Sequence, residues 1–143
     1  MSNEIQGKKE KGKYTGLLII IAIVAAFILL LLVVITSIPV YTQYTQGSRA
    51  SEAQYGIGAI FDAAKMYYKD HNEDAGSIQQ LIETEYLKLP EDLSEKWNFS
   101  LIGRNPIRQI EATSTDKMKG GAGHVILFDI QTGRFTGYGL ASG

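Results

Sequence analysis

The chain has 143 residues with Lys+Arg 14 against Asp+Glu 15, a formal net charge of −1, so no strong field exists to hold nucleic acid or an acidic substrate. Cysteine is absent, which excludes disulfides, thiolate zinc sites, iron–sulfur clusters and cysteine nucleophiles. The two histidines, His71 and His124, leave little material for acid–base or metal chemistry near neutral pH.

Residues 1–16 form a basic leader in which Lys8, Lys9, Lys11 and Lys13 crowd together. From Leu17 to Ile35 every residue is Leu, Ile, Val, Ala or Phe, and Thr36, Ser37 and Ile38 complete a segment over 17–38. At about 1.5 Å per residue this run matches a hydrocarbon core roughly 30 Å thick. A soluble core helix would show a polar face within five turns, and this one shows none. The next basic residue after the run is Arg49, so the positive-inside rule predicts a cytoplasmic N-terminus, with the rest of the chain on the far side of the membrane. A cleaved secretory signal needs an apolar core of only about 7 to 15 residues and a small-x-small site. The run is too long for that, and no such site follows it.

Residues 39–75 read as an amphipathic continuation of the same helix. Ala50, Ala53, Ile57, Ile60, Phe61, Ala64 and Tyr68 recur at steps of three and four, one apolar stripe on a polar rod. Pro39 removes a backbone donor, so a kink or melted turn is expected near residues 35–39. Gly47, Gly56 and Gly58 each cost about 1 kcal/mol inside a helix and make this stretch bendable. Tyr41 and Tyr44 stand just past the apolar run, where interfacial aromatics gather. The helix is expected to stop near Asn72 to Ala75 with Gly76 as terminator.

Residues 76–143 read as a globular head holding a short helix and an antiparallel sheet. Ser77 and Gln80 have capping-box spacing ahead of Ile78, Leu81 and Ile82. After Pro90 the period changes to that of a strand, with Trp97, Phe99 and Leu101 alternating with polar residues and a turn at residues 103–106. A second strand is expected over about 107–113, a glycine-rich mobile loop over 114–123, a third strand over 125–130 and a last one over 134–140. The whole is predicted to be α+β: a ladle in which a long N-terminal transmembrane helix packs against an antiparallel sheet of about four strands.

No catalytic, cofactor-binding or metal-ligating residue is predicted. Asp70, His71, Glu73 and Asp74 form a polar knot that reads as solvated helix-end residues more readily than as a metal site. His124 reads as a surface or edge residue, and Asp129 as the cap of the turn at 131–133. Gly120-Gly121-Ala122-Gly123 lacks the strand-to-helix setting of a phosphate loop.

A basic leader ending in Gly16, an unbroken apolar helix, Ile38-Pro39-Val40-Tyr41 near its end and Ser48-Arg49-Ala50-Ser51-Glu52-Ala53 beyond it together resemble a type IV pilin or a type II secretion pseudopilin. Ser77 to Ile82 with Tyr86-Leu87-Lys88-Leu89-Pro90 is similar to that family's passage from helix to sheet, and Phe128-Asp129 with Gly137-Tyr138-Gly139 to its last hairpin. The resemblance covers nearly the whole chain. It implies a bacterial inner-membrane subunit, cut by a prepilin peptidase after Gly16, methylated on the new N-terminal Leu17, and assembled with copies of itself or other pilins into a filament. The family usually continues from the cut as Phe-Thr-Leu-Ile-Glu, whereas this chain reads Leu17-Leu18-Ile19-Ile20-Ile21. An intramembrane carboxylate costs about 2.5–3.5 kcal/mol and is relieved by a partner charge; with Ile21, both the penalty and its relief are missing. That departure motivates a second expectation, a monomeric membrane-anchored binding module in the periplasm. An exported enzyme is the least favoured, since no catalytic pair converges in sequence.

Overall fold

The computed structural model describes residues 2–140. Within them the side chains of residues 2–11, 13, 39 and 40 lie outside the described set. The architecture is α+β, with a long N-terminal apolar helix and a four-stranded antiparallel sheet. Helix α1 covers Ser2–His71 and contributes to two compact units, residues 1–42 and 43–143.

In the first unit the backbone is helical throughout its described length, residues 35–39 included. All described side chains from residue 14 to residue 38 are exposed. The only hydroxyls in the second half of the apolar run are satisfied within the helix. Thr36 Oγ1 donates to the Leu32 carbonyl at 2.9 Å and Ser37 Oγ to the Val33 carbonyl at 2.7 Å. Such back-bonding hides a polar group where no water is at hand.

In the second unit the helical stretch from residue 43 to His71 supplies one wall of the core. Ala50, Ala53, Ile57, Ile60 and Ala64 are buried as the periodicity requires, but Phe61 is only half-buried. Tyr68 is 51% exposed while Tyr67 is 4% exposed, so the stripe turns one residue away from its expected end. Two neighbouring tyrosines offer the pattern equal apolar weight, and the Tyr67 hydroxyl wins because it finds a buried-side partner: Gln80 Nε2 donates to it at 2.7 Å. Gly56 is also buried rather than hinge-like; a Cβ there would collide with the Phe99 ring, so its smallness admits the sheet to the helix surface.

The helix ends one turn earlier than Gly76. Asn72 takes φ 57° and its N–H donates to the Tyr68 carbonyl at 2.8 Å, the left-handed cap that Asn tolerates almost as well as Gly. Gly76 instead donates its N–H to Gln80 Oε1 at 2.7 Å. Helix α2, Ile78–Glu83, opens on Ser77, whose hydroxyl accepts from the Gln80 N–H at 3.1 Å. A short helix, α3, Glu91–Lys96, stands where no element is expected, with Glu91 and Asp92 in its first turn and Lys96 in its last. That charge order favours the helix dipole, and Leu93 is its buried contact.

The strands are β1 Trp97–Ile102, β2 Gln109–Ser114, β3 Val125–Asp129 and β4 Arg134–Gly137, ordered β1-β2-β3-β4 with every pairing antiparallel. Two rows run across the sheet: Phe99, Ala112, Ile126 and Gly137 in one, Leu101, Ile110, Phe128 and Phe135 in the other. Strand β2 starts at Gln109 rather than Ile107 because the Ile107 N–H is taken by Asp74 Oδ2 at 2.8 Å. Strand β4 stops at Gly137, where φ 113° turns the chain out of the ladder. The segment 114–123 is better tied down than its glycines suggest. Met118 is buried, and the buried Ser114 hydroxyl donates to the Gly121 carbonyl at 2.7 Å while accepting from the His124 N–H at 2.9 Å. Trp97, the largest fully buried side chain among the described residues, has no hydrogen-bond partner at Nε1 among them.

Candidate functional site

Among the described residues, one helix is long and apolar enough to cross a membrane. From Leu17 to Ile38 the described surface is hydrocarbon: Leu29 is 66% exposed, and even Leu31, the least exposed large side chain of the run, is 45% exposed. Among the described residues no protein covers it, and a surface of this kind calls for lipid or another apolar face. Gly16 lies on the helical backbone with open space around it, and Leu17 beside it is exposed. Tyr41 and Tyr44 are both exposed. Ile21, at the position where a carboxylate would mark the family, is one more exposed aliphatic group.

Of the acidic and histidine side chains at the end of α1, Asp70 and His71 meet at the Tyr86 hydroxyl, which lies 3.5 Å from His71 Nε2, while Glu73 and Asp74 are placed apart from it. Asp70 Oδ2 accepts from the Tyr86 hydroxyl at 2.7 Å, which holds the proton on Tyr86 and raises its pKa above the ordinary tyrosine value. His71 stacks on Tyr67, with ring centroids 4.2 Å apart. Asp74 holds the Ile107 amide, and Glu73 is exposed. Among the described residues no group of three His, Cys, Asp or Glu side chains is placed to share a metal ion.

His124 is half-buried just before β3, stacked on Tyr138 with centroids 4.1 Å apart. Its Nε2 lies 2.9 Å from the Gly120 carbonyl, and Arg49 Nη1 donates to the Tyr138 hydroxyl at 3.4 Å. This cluster fastens the segment 114–123 to the closing hairpin. The turn at 131–133 is capped as its sequence indicates: Asp129 Oδ1 accepts from the Thr132 N–H at 2.7 Å and from its hydroxyl at 2.9 Å.

One concave feature was not legible in the sequence. A groove of about 670 Å³ runs between α1 and the turns that follow β1 and β3. Phe61, Ala64 and Tyr68 line it on the helix side, and Asn105, Pro106 and Ile130 on the turn side. Asn72 and Glu73 stand at its rim. No single segment carries its signature, since it unites residues 61–74 with 105–107 and 130.

No family model, curated protein or solved structure matches the chain.

Proposed function

We propose that the chain is a pilin-like structural subunit, carried in the inner membrane by the helix over residues 17–38 and assembled through that helix into a type IV pilus or a type II secretion pseudopilus. The observation that carries this reading is the continuous, uncharged and uncovered apolar surface from Leu17 to Ile38, joined in one chain to an α+β head. A helix of that kind is hidden either by lipid or by like helices, and extraction into a filament replaces the first with the second. The leader lysines favour a cytoplasmic N-terminus, and the head then lies in the periplasm or on the filament surface. In this reading Gly16 and Leu17 flank the prepilin peptidase cut, and Tyr41 and Tyr44 lie at the membrane interface. The subunit binds no cofactor and carries out no chemistry.

Ile21 favours a second reading, a full-length tether whose head works as a monomeric binding module, because the carboxylate that would register a newcomer against a neighbour's amine is missing. Intact-mass measurement on protein from producing cells separates the two. Loss of residues 1–16 with a methyl group on Leu17, together with filaments seen by electron microscopy, is expected. A full-length product without filaments overturns the subunit reading in favour of the tether.

A further inference from the structure

The groove beside α1 has the chemistry of a small-molecule site rather than of a packing defect. Its floor is apolar, with Ala64 and Ile107 buried beneath it. Tyr68 stands in its wall with half its surface in solvent. At the rim are Asn72 and Asn105, both with left-handed backbones, at φ 57° and 46°, so each exposed amide is carried on a fixed main-chain bend. Sites of this size commonly combine an apolar floor with a few convergent polar groups.

The lining argues against three ligand classes. An added β-strand needs a free sheet edge, and no residue of the edge strands β1 and β4 lines the groove. A phosphate or other strong anion would meet Glu73 and Asp74 against a single cation, Lys65. That cation is itself drawn over the Phe61 ring, 5.3 Å from its centroid. An amphipathic helix would press charged rim groups against its apolar face without partners. What suits a half-open tyrosine ring, two amides and the exposed Glu73 carboxylate is a neutral ligand with an apolar face and many hydroxyls around it. The ring takes the C–H face, while amides and carboxylate take the hydroxyls as donors and acceptors.

We propose that this groove, with Tyr68 as its platform and Asn72, Asn105 and Glu73 as its polar contacts, binds a neutral saccharide. The site belongs to the head alone, so it stands whether the N-terminal helix assembles into a filament or stays in lipid.

The test uses the full chain, isotope-labelled, in a phosphocholine micelle, because glucoside and maltoside detergents carry the proposed ligand's own chemistry. Cellotetraose, chitotetraose and lactose are titrated while backbone amide resonances are followed; 3′-sialyllactose and inorganic phosphate serve as anionic probes. At least one neutral sugar is expected to move resonances around residues 61–74 and 105–107 with a dissociation constant on the order of 1 mM or tighter. Tyr68→Ala is expected to weaken that binding about tenfold. Asn72→Gly keeps the left-handed backbone and removes the amide, and it is expected to weaken binding as well. Tyr55→Ala removes an exposed tyrosine outside the groove and should leave binding unchanged. Absence of shifts with all three neutral sugars overturns the proposal. So do shifts only with the anionic probes, binding indifferent to Tyr68→Ala, and groove resonances that move with protein concentration alone, which would mean that a second copy occupies the groove.

Discussion

Asp129 shows how one side chain can hold a hairpin. Its carboxylate accepts the backbone N–H and the hydroxyl of Thr132, and these bonds hold its pKa below the usual carboxylate range. A carboxyl with a depressed folded-state pKa contributes stability that is present above its unfolded value, near 3.9, and is lost as pH falls through the folded value. Asp129→Asn is therefore expected to lower the thermal midpoint of the head at neutral pH, with the difference from the parent closing as pH drops below about 4. Circular dichroism melts across pH check this; a gap that stays constant into acid would refute the charge-based account. Gly137 makes a different single-residue contribution. Its φ of 113° is rarely open to a residue with a side chain, and a Cβ there would run into the Val125 carbonyl. Gly137→Ala is expected to cost about 1–3 kcal/mol from backbone conformation alone, and more with the collision; urea unfolding of the full chain measures it.

At the scale of elements, α1 between residue 43 and His71 and the four strands depend on each other, because each has one apolar face and the two faces share one core, which Leu81 of α2 and Leu93 of α3 complete. Ile57 is fully buried. Ile57→Ala should therefore cost about 2–5 kcal/mol, while Met66→Ala, at a position 59% exposed, should stay within about 0.5 kcal/mol. Equal losses at the two sites in urea titrations would refute this helix orientation. Strand β1 was readable because Trp97, Phe99 and Leu101 alternate with polar residues without interruption, and β3 because it is a β-branched and aromatic run. Helix α3 was not, since six residues with Leu93 as their single buried side chain carry no period to detect. The end of α1 falls at the start of its expected range, but its terminator was misassigned, because Asn72 does a glycine's work four residues before Gly76. The pattern put Tyr68 in the stripe, whereas Tyr67 takes that place because of a hydrogen bond from Gln80, thirteen residues on. The groove escaped for the same reason: its walls come from distant segments, and no local pattern announces a concavity.

For the whole molecule, the dominant quantity is the apolar surface of residues 17–38. A charge placed at its centre costs about 2.5–3.5 kcal/mol of membrane insertion. Ile28→Arg is expected to reduce the carbonate-resistant membrane fraction relative to Ile28→Leu, while both proteins keep the same unfolding midpoint for the head. A head that loses stability with Ile28→Arg would show that the helix and the sheet do not answer to separate forces. The meander order of the sheet has a bearing here as well. Every strand pairs with its sequence neighbour, so the sheet can form in chain order with little loop entropy to overcome. The chain's sole tryptophan, Trp97, sits at the start of that meander, 1% exposed, and no other tryptophan occurs in the apolar helix or anywhere else. Its indole emission is therefore a label native to the sheet: a shift to the red reports the opening of that core and stays silent about the surroundings of the greasy segment.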